Sequence, residues 1–137
     1  MDLRQKSDIK MKYTVIYSDN LPEEFGGYCH TPIIPMFGTC RIVIRPKYKA
    51  DVGLLNHELV HVKQYNRNFF HGVLYSLSKE YRYKAELEAY TAQIKSYSYE
   101  TIGEAMWIVN SLFNKYELGL SHEKIQKDVQ KIIDETN

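Results

Sequence analysis

Residues 51–66 read DVGLLNHELVHVKQYN. Asp51 suits an N-cap, and Leu55, Leu59 and Val62 recur at helical spacing, so the stretch predicts an amphipathic helix. Inside it, His57, Glu58 and His61 make the pattern H-E-x-x-H. At roughly 100° per residue, positions i and i+4 differ by about 40°, so both imidazoles leave one side of the helix a turn apart. Two neutral imidazole nitrogens at that separation can take two corners of a tetrahedral zinc site. Glu58 lies about 100° round from His57, too far for a natural third ligand on this helix. It is near enough to hydrogen-bond a water on the metal. A carboxylate there can take the proton of that water as it attacks a carbonyl, then deliver it to the leaving amine. Leu55, Leu59 and Val62 on the opposite face would anchor the helix to a core.

Upstream, the chain predicts β structure. Residues 12–18 (KYTVIYS) are rich in β-branched and aromatic side chains. In residues 39–45 (TCRIVIR), Cys40, Ile42 and Ile44 alternate with Arg41, Val43 and Arg45, as in a strand with one buried face. Residues 28–34 (YCHTPII) lie between them, where Pro32 and Pro35 point to an irregular or edge segment. Downstream, a semi-apolar connection around Gly72 leads to a second helix over 78–97. Thr101-Ile102-Gly103-Glu104 is a capping box opening a third helix, with Ile102, Met106, Val109, Leu112, Phe113 and Tyr116 facing inward. Gly119 stops it, and Ser121 caps a last helix carrying Ile125, Val129, Ile132 and Ile133. No repeat or long linker divides the chain. The expected fold class is α+β in a single domain over 1–137: a small, mostly antiparallel three-stranded sheet, then a helical region carrying the H-E-x-x-H helix.

Two histidines and a water leave a tetrahedral zinc one protein ligand short. Glu80, Glu86, Glu88 and His71 follow as donors. Glu86 and Glu88 differ by about 200° on their helix, so both cannot face one ion. Glu80 stands near the helix start, where its charge favours the dipole. His71 lies in the connection, where a surface or capping role is the ordinary expectation.

HELVHVKQY followed by AELEAYTA resembles the zincin metallopeptidases of the Glu-zincin group. The second piece is similar to the E-x-x-A-D-x-x-A pattern of the prenyl-protein and heat-shock zinc endopeptidases. The pair also resembles short bacterial and phage proteins with an H-E-L-x-H-x-x-Q helix and a later E-x-E-A-Y. The resemblance covers roughly residues 52–95 and implies a minimal zincin-like fold. It places the third ligand on Glu86, with Ala89 in register. It leaves Glu88 as an exposed charge or an acceptor behind a ligand. Tyr90 stands where the family has an Asp that supports a ligand histidine. The resemblance also implies a strand ahead of the motif helix that pairs with extended substrate, and residues 39–45 are placed to be it. No third His or downstream Gly of the H-E-x-x-H-x-x-G-x-x-H class follows.

Composition narrows the function. Eighteen Lys+Arg against seventeen Asp+Glu give a formal charge of +1, which removes the simplest argument for nucleic-acid or anionic-membrane binding. No apolar run approaches the roughly 20 residues that span a bilayer, and the N-terminal stretch lacks a signal-peptide core, so a cytoplasmic protein is expected. Two cysteines, Cys29 and Cys40, are too few for a disulfide scaffold and are expected reduced and buried. Tyrosine can stabilise an oxyanion, but with twelve in the chain the sequence selects none. The expectation is a zinc-dependent hydrolase acting on protein or peptide. His57, His61 and Glu86 would hold Zn²⁺, with Glu58 activating a metal-bound water. The alternative is a zinc-stabilised binding or structural module without turnover, including a phage accessory protein.

Overall fold

The computed structural model describes residues 11–32 and 38–136. Three strands come first: β1 (Tyr13–Tyr17), β2 (Gly27–His30) and β3 (Cys40–Ile44). A 3-10 turn at Pro46–Tyr48 then leads into α1 (Val52–Arg67), α2 (His71–Leu77), α3 (Lys79–Tyr97), α4 (Met106–Asn114) and α5 (His122–Thr136). The α+β class is as expected. Pro35 and the end of the 28–34 segment lie outside the described residues.

The sheet is mixed, which corrects the mostly antiparallel expectation. Its order is β1-β3-β2, with β1 parallel and β2 antiparallel to β3. A chain of hairpins would have put β2 in the middle. Instead β3 takes the centre because it is the most apolar strand, with Cys40, Ile42 and Ile44 buried on one face and Val43 on the other. Central strands, covered on both sides, favour such runs. Residues 18–26 separate β1 from β2, and the Arg45 guanidinium pins them. It donates to the carbonyls of Phe25 at 2.9 Å and Pro22 at 3.0 Å, and to Asp19 at 3.2 Å.

The Asp51 carboxylate accepts from Leu54 N–H at 3.0 Å, capping α1 as the sequence suggested. Val62 and Tyr65 pack on Cys40, Ile42 and Ile44, with Leu55 and Leu59 partly buried beside them. This is the first of two apolar clusters. The second joins α3, α4 and α5 through Ile94, Ile108, Val109, Leu112, Ile125, Val129 and Ile133. Phe113 is 42% exposed rather than inward, and Ile108 is fully buried instead. In the capping box, Glu104 N–H donates to Thr101 Oγ1 at 3.3 Å and Thr101 N–H to Glu104 Oε2 at 3.2 Å, closing a turn before α4 begins at Met106. The connection around Gly72 is itself helical, as α2. Ser78 caps α3 by accepting from Tyr81 N–H at 3.1 Å. α4 ends at Asn114 with Lys115 as its C-cap, earlier than the stop expected at Gly119, which lies in the following turn at φ +69°, a conformation glycine adopts freely.

Candidate metal centre

The long helices α1 and α3 pack side by side, and the polar seam between them holds the site. On α1, His57, His61 and Gln64 repeat at spacings of four and three. On α3, Glu86 and Gln93 stand seven apart, nearly the same face after two turns. His57 Nε2 lies 3.2 Å from Glu86 Oε1, and His61 Nε2 lies 3.2 Å from Glu86 Oε2. His57, His61 and Glu86 are all buried, and one ligand atom of each lies within 4.8 Å of the others. They form a cluster that can hold a metal ion.

Two glutamines decide what the imidazoles present to that space. The Gln64 amide nitrogen donates to the Ala85 carbonyl at 2.9 Å and to Glu88 Oε1 at 2.8 Å. Its oxygen therefore faces His61 Nδ1, 2.9 Å away, and can only accept. Gln93 does the same for His57: its nitrogen donates to the Tyr97 hydroxyl at 3.2 Å, and its oxygen takes the Nδ1 proton at 3.0 Å. Both Nδ1 atoms thus carry protons, and both Nε2 atoms point at the Glu86 carboxylate. Each Nε2 faces a carboxylate oxygen, and either a proton on the ring or a cation shared between the groups satisfies the pair. Two imidazole nitrogens and a carboxylate are donors that divalent metals such as zinc accept, and one atom of each lies within 4.8 Å of the others. A deliberate void keeps this scaffold together. A Cβ on Gly53 would lie 2.5 Å from the Tyr97 ring, whose hydroxyl donates to Asp51 at the head of α1.

Burial alone would depress the His61 imidazole, but the neighbouring Glu86 carboxylate outweighs it and lifts the pKa to about 10. Burial likewise pushes Glu86 up. The His61 charge and hydrogen bonds from both rings prevail and hold it well below the ordinary carboxylate range. Glu58 moves the other way. Burial raises it, with Glu86 adding to the effect against the pull of His57 and His61.

Glu58 is 4% exposed and its Oε1 sits 3.9 Å from His57 Nε2, with no hydrogen-bond partner among the described residues. It borders a cleft of about 510 Å³ that also reaches His57, His61, Glu86, His71 and Tyr75. Tyr75 was not singled out by the sequence, yet its hydroxyl donates to Glu86 Oε2. His71, expected at the surface, is buried. Its Nδ1 is held at 2.7 Å by the Tyr81 hydroxyl, and burial chiefly lowers its pKa to about 4.

Glu88 stays out of the cluster. It accepts from Gln64 at 2.8 Å and from Arg67 at 2.9 Å, so it steadies the glutamine that steadies His61. Tyr90 packs its ring edge-on to His57 at 4.4 Å and shares a 2.9 Å hydrogen bond with Tyr116. The supporting role that the sequence left open at position 90 falls to Gln64 and Gln93. Their signal was present in the spacing, but glutamine is too common on helices to stand out alone. Tyr65 is buried against the sheet, where its hydroxyl accepts from Gly38 N–H at 3.2 Å. Both cysteines are free thiols, Cys40 fully buried and Cys29 partly so.

The strand bordering the cleft is β2, which corrects the expectation for residues 39–45. Those residues form β3, bonded on both sides. Arg45 N–H donates to the Gly26 carbonyl at 2.9 Å, and the register pairs Tyr28 with Val43 and His30 with Arg41. By antiparallel alternation, the backbone N–H and C=O of Gly27 and Cys29 therefore turn outward, away from β3. Among the described residues no strand covers that edge.

The fold and site define a class, a small α+β protein with a buried His/His/Glu cluster able to hold a metal ion. Comparisons with models of protein families, with curated proteins and with solved structures find no match. No helix among the described residues is long and apolar enough to cross a membrane.

Proposed function

We propose that the protein is a zinc-dependent hydrolase, most simply a metallopeptidase, with His57, His61 and Glu86 as ligands and Glu58 as general base and then acid. The observation that carries this reading is Glu58 itself. Its carboxylate, 3.9 Å from His57 Nε2 and bonded to no donor among the described residues, faces the cleft beside the cluster, where a water can meet it, and a purely structural site has no use for a base there. Zinc in this cluster would supply Lewis acidity toward a water and a carbonyl oxygen. The chain's own groups do the rest. Gln64 and Gln93 keep the Nε2 atoms of His61 and His57 directed at the cluster. Burial keeps Glu58 basic enough to take a proton from water and return it to a leaving amine. The Tyr75 hydroxyl donates to Glu86 Oε2 and so fixes the orientation of that carboxylate in the cluster. The outward backbone of Gly27 and Cys29 suits an extended peptide substrate.

The test pairs elemental analysis with turnover of a protein or peptide substrate pool. Wild type should hold one equivalent of zinc, and Glu86→Ala should lose it while Glu88→Ala keeps it. Glu58→Gln should keep zinc and lose about 10²–10⁴-fold in rate. A structural zinc module would instead show no hydrolysis and no effect of Glu58→Gln beyond stability, and a metal-free wild type would end the proposal.

A further inference from the structure

We infer that the outer face of α2 docks on an anionic lipid surface, with Phe69, Phe70, Val73 and Leu77 entering the headgroup region and Lys63 and Lys79 meeting the lipid charge. The inference concerns where the protein sits and is independent of what the metal centre does.

Residues 68–78 (NFFHGVLYSLS) contain no lysine, arginine or acidic residue over eleven positions. α2 folds within them and turns His71 inward, where His71 and Tyr75 border the metal-centre cleft. Phe70, Val73 and Leu77 recur at spacings of three and four, so they form one stripe on the other side. Phe69 extends it, its ring edge-on to Phe70 with centroids 5.1 Å apart. Phe69, Phe70, Val73 and Leu77 are 50%, 60%, 58% and 81% exposed. Outside this stripe, Val52 alone among the described large apolar side chains exceeds 50%. Single exposed apolar residues are ordinary, whereas four together mark a binding surface. None of the four lines the cleft, but Gly72 and Ser76 between them do, so the stripe runs beside its rim.

The surrounding charge selects the partner. Lys63 and Arg67 leave one side of α1 a turn apart just before the stretch, and Lys79 and Lys84 follow it. Glu88 binds Arg67, and Glu80 binds Lys84 at 3.1 Å. Lys63 and Lys79 are exposed and have no ion-pair partner among the described residues. Residues 63–84 carry five Lys and Arg against one acidic residue, and the rest of the chain carries thirteen against sixteen. The overall charge of +1 therefore conceals a cationic collar around the most exposed apolar stripe. Phe, Val and Leu side chains suit the boundary between headgroups and acyl chains, and lysines beside them suit anionic headgroups. A second copy seated on the same face would set these cations against their own kind.

The protein as purified is sedimented with vesicles of phosphatidylcholine alone and with vesicles that also contain phosphatidylglycerol. Binding to the anionic vesicles should be at least about tenfold tighter and should weaken as salt rises. Phe70→Ser/Leu77→Ser should lose at least about tenfold in binding to either vesicle, with the thermal midpoint and metal content unchanged because both side chains face solvent. Lys63→Gln/Lys79→Gln should lose the preference for the anionic vesicles. Absence of vesicle binding, binding that Phe70→Ser/Leu77→Ser leaves untouched, or a dimer in solution that this change dissolves would each overturn the inference. Because the readout is sedimentation with lipid, it stands or falls separately from hydrolysis.

Discussion

A single hydrogen bond fixes the identity of each ligand nitrogen. Gln93 and Gln64 accept the Nδ1 protons of His57 and His61, and the Nε2 atoms are thereby directed at Glu86. Without metal the cluster is a charge pair, and its pH dependence follows from the shifts. His61 rises from 6.5 to about 10 on folding, so the stability it contributes is complete below pH 6.5 and is lost as pH climbs toward 10. Glu86 has the opposite sign. Its contribution is present above its unfolded value and fails only in strong acid, because its folded value is depressed. In chelator, the thermal midpoint should therefore fall between pH 6.5 and 10, and His61→Gln should flatten that slope in a calorimetric series. With zinc bound the imidazoles are neutral ligands and the slope should vanish. The two histidines and Glu58 were legible in the sequence because their spacing has a geometric meaning on one helix, whereas spacing left Glu86 and Glu88 open and only the family resemblance favoured Glu86. Tyr75 and His71 were not legible, since only the fold of α2 brings them to the cleft.

At the scale of elements, α2 owes its place to one side chain from α3. Arg82 donates to the carbonyls of Tyr75 at 2.6 Å and Tyr116 at 2.8 Å, tying the end of α2 to the segment after α4. Arg82→Met keeps the apolar stem and removes the donors. It should cost about 1.5–3 kcal/mol in denaturant unfolding and speed amide exchange in α2, where Tyr75 resides. The longer helices were readable from caps and periodicity: Asp51, Ser78 and Ser121 cap as their residue types suggest, while the Thr101 box closes a separate turn and α4 starts at Met106 without a side-chain cap. The sheet was less so. Alternation in residues 39–45 marks a strand with a buried face, but neighbour order depends on which strand can be covered on both sides. That is a tertiary property, and it placed β3 where a hairpin reading puts β2.

The whole molecule is two apolar clusters with the metal centre in the seam between them. One ion held by His57 and His61 from α1 and by Glu86 from α3 would bridge the sheet side to the helical side. Zinc at about 100 times its dissociation constant should add about 2.7 kcal/mol, a rise in midpoint of roughly 5–15 °C. Leu112→Ala, in the helical cluster, should remove about 2–5 kcal/mol, and any change in the zinc increment reports coupling through Tyr90, which belongs to that cluster and packs on His57. Scanning calorimetry of both proteins with and without zinc measures both quantities.

Gly53 shows how far a missing atom reaches. A methyl group there would strike the ring of Tyr97 and dislodge the hydroxyl that receives the Gln93 amide, freeing that amide to rotate. A rotated amide would offer His57 a donor in place of an acceptor, and the ring would shift its proton to the other nitrogen. One hydrogen-sized side chain, a full turn ahead of the first histidine, thus leaves room for the tyrosine that steadies that histidine's glutamine partner.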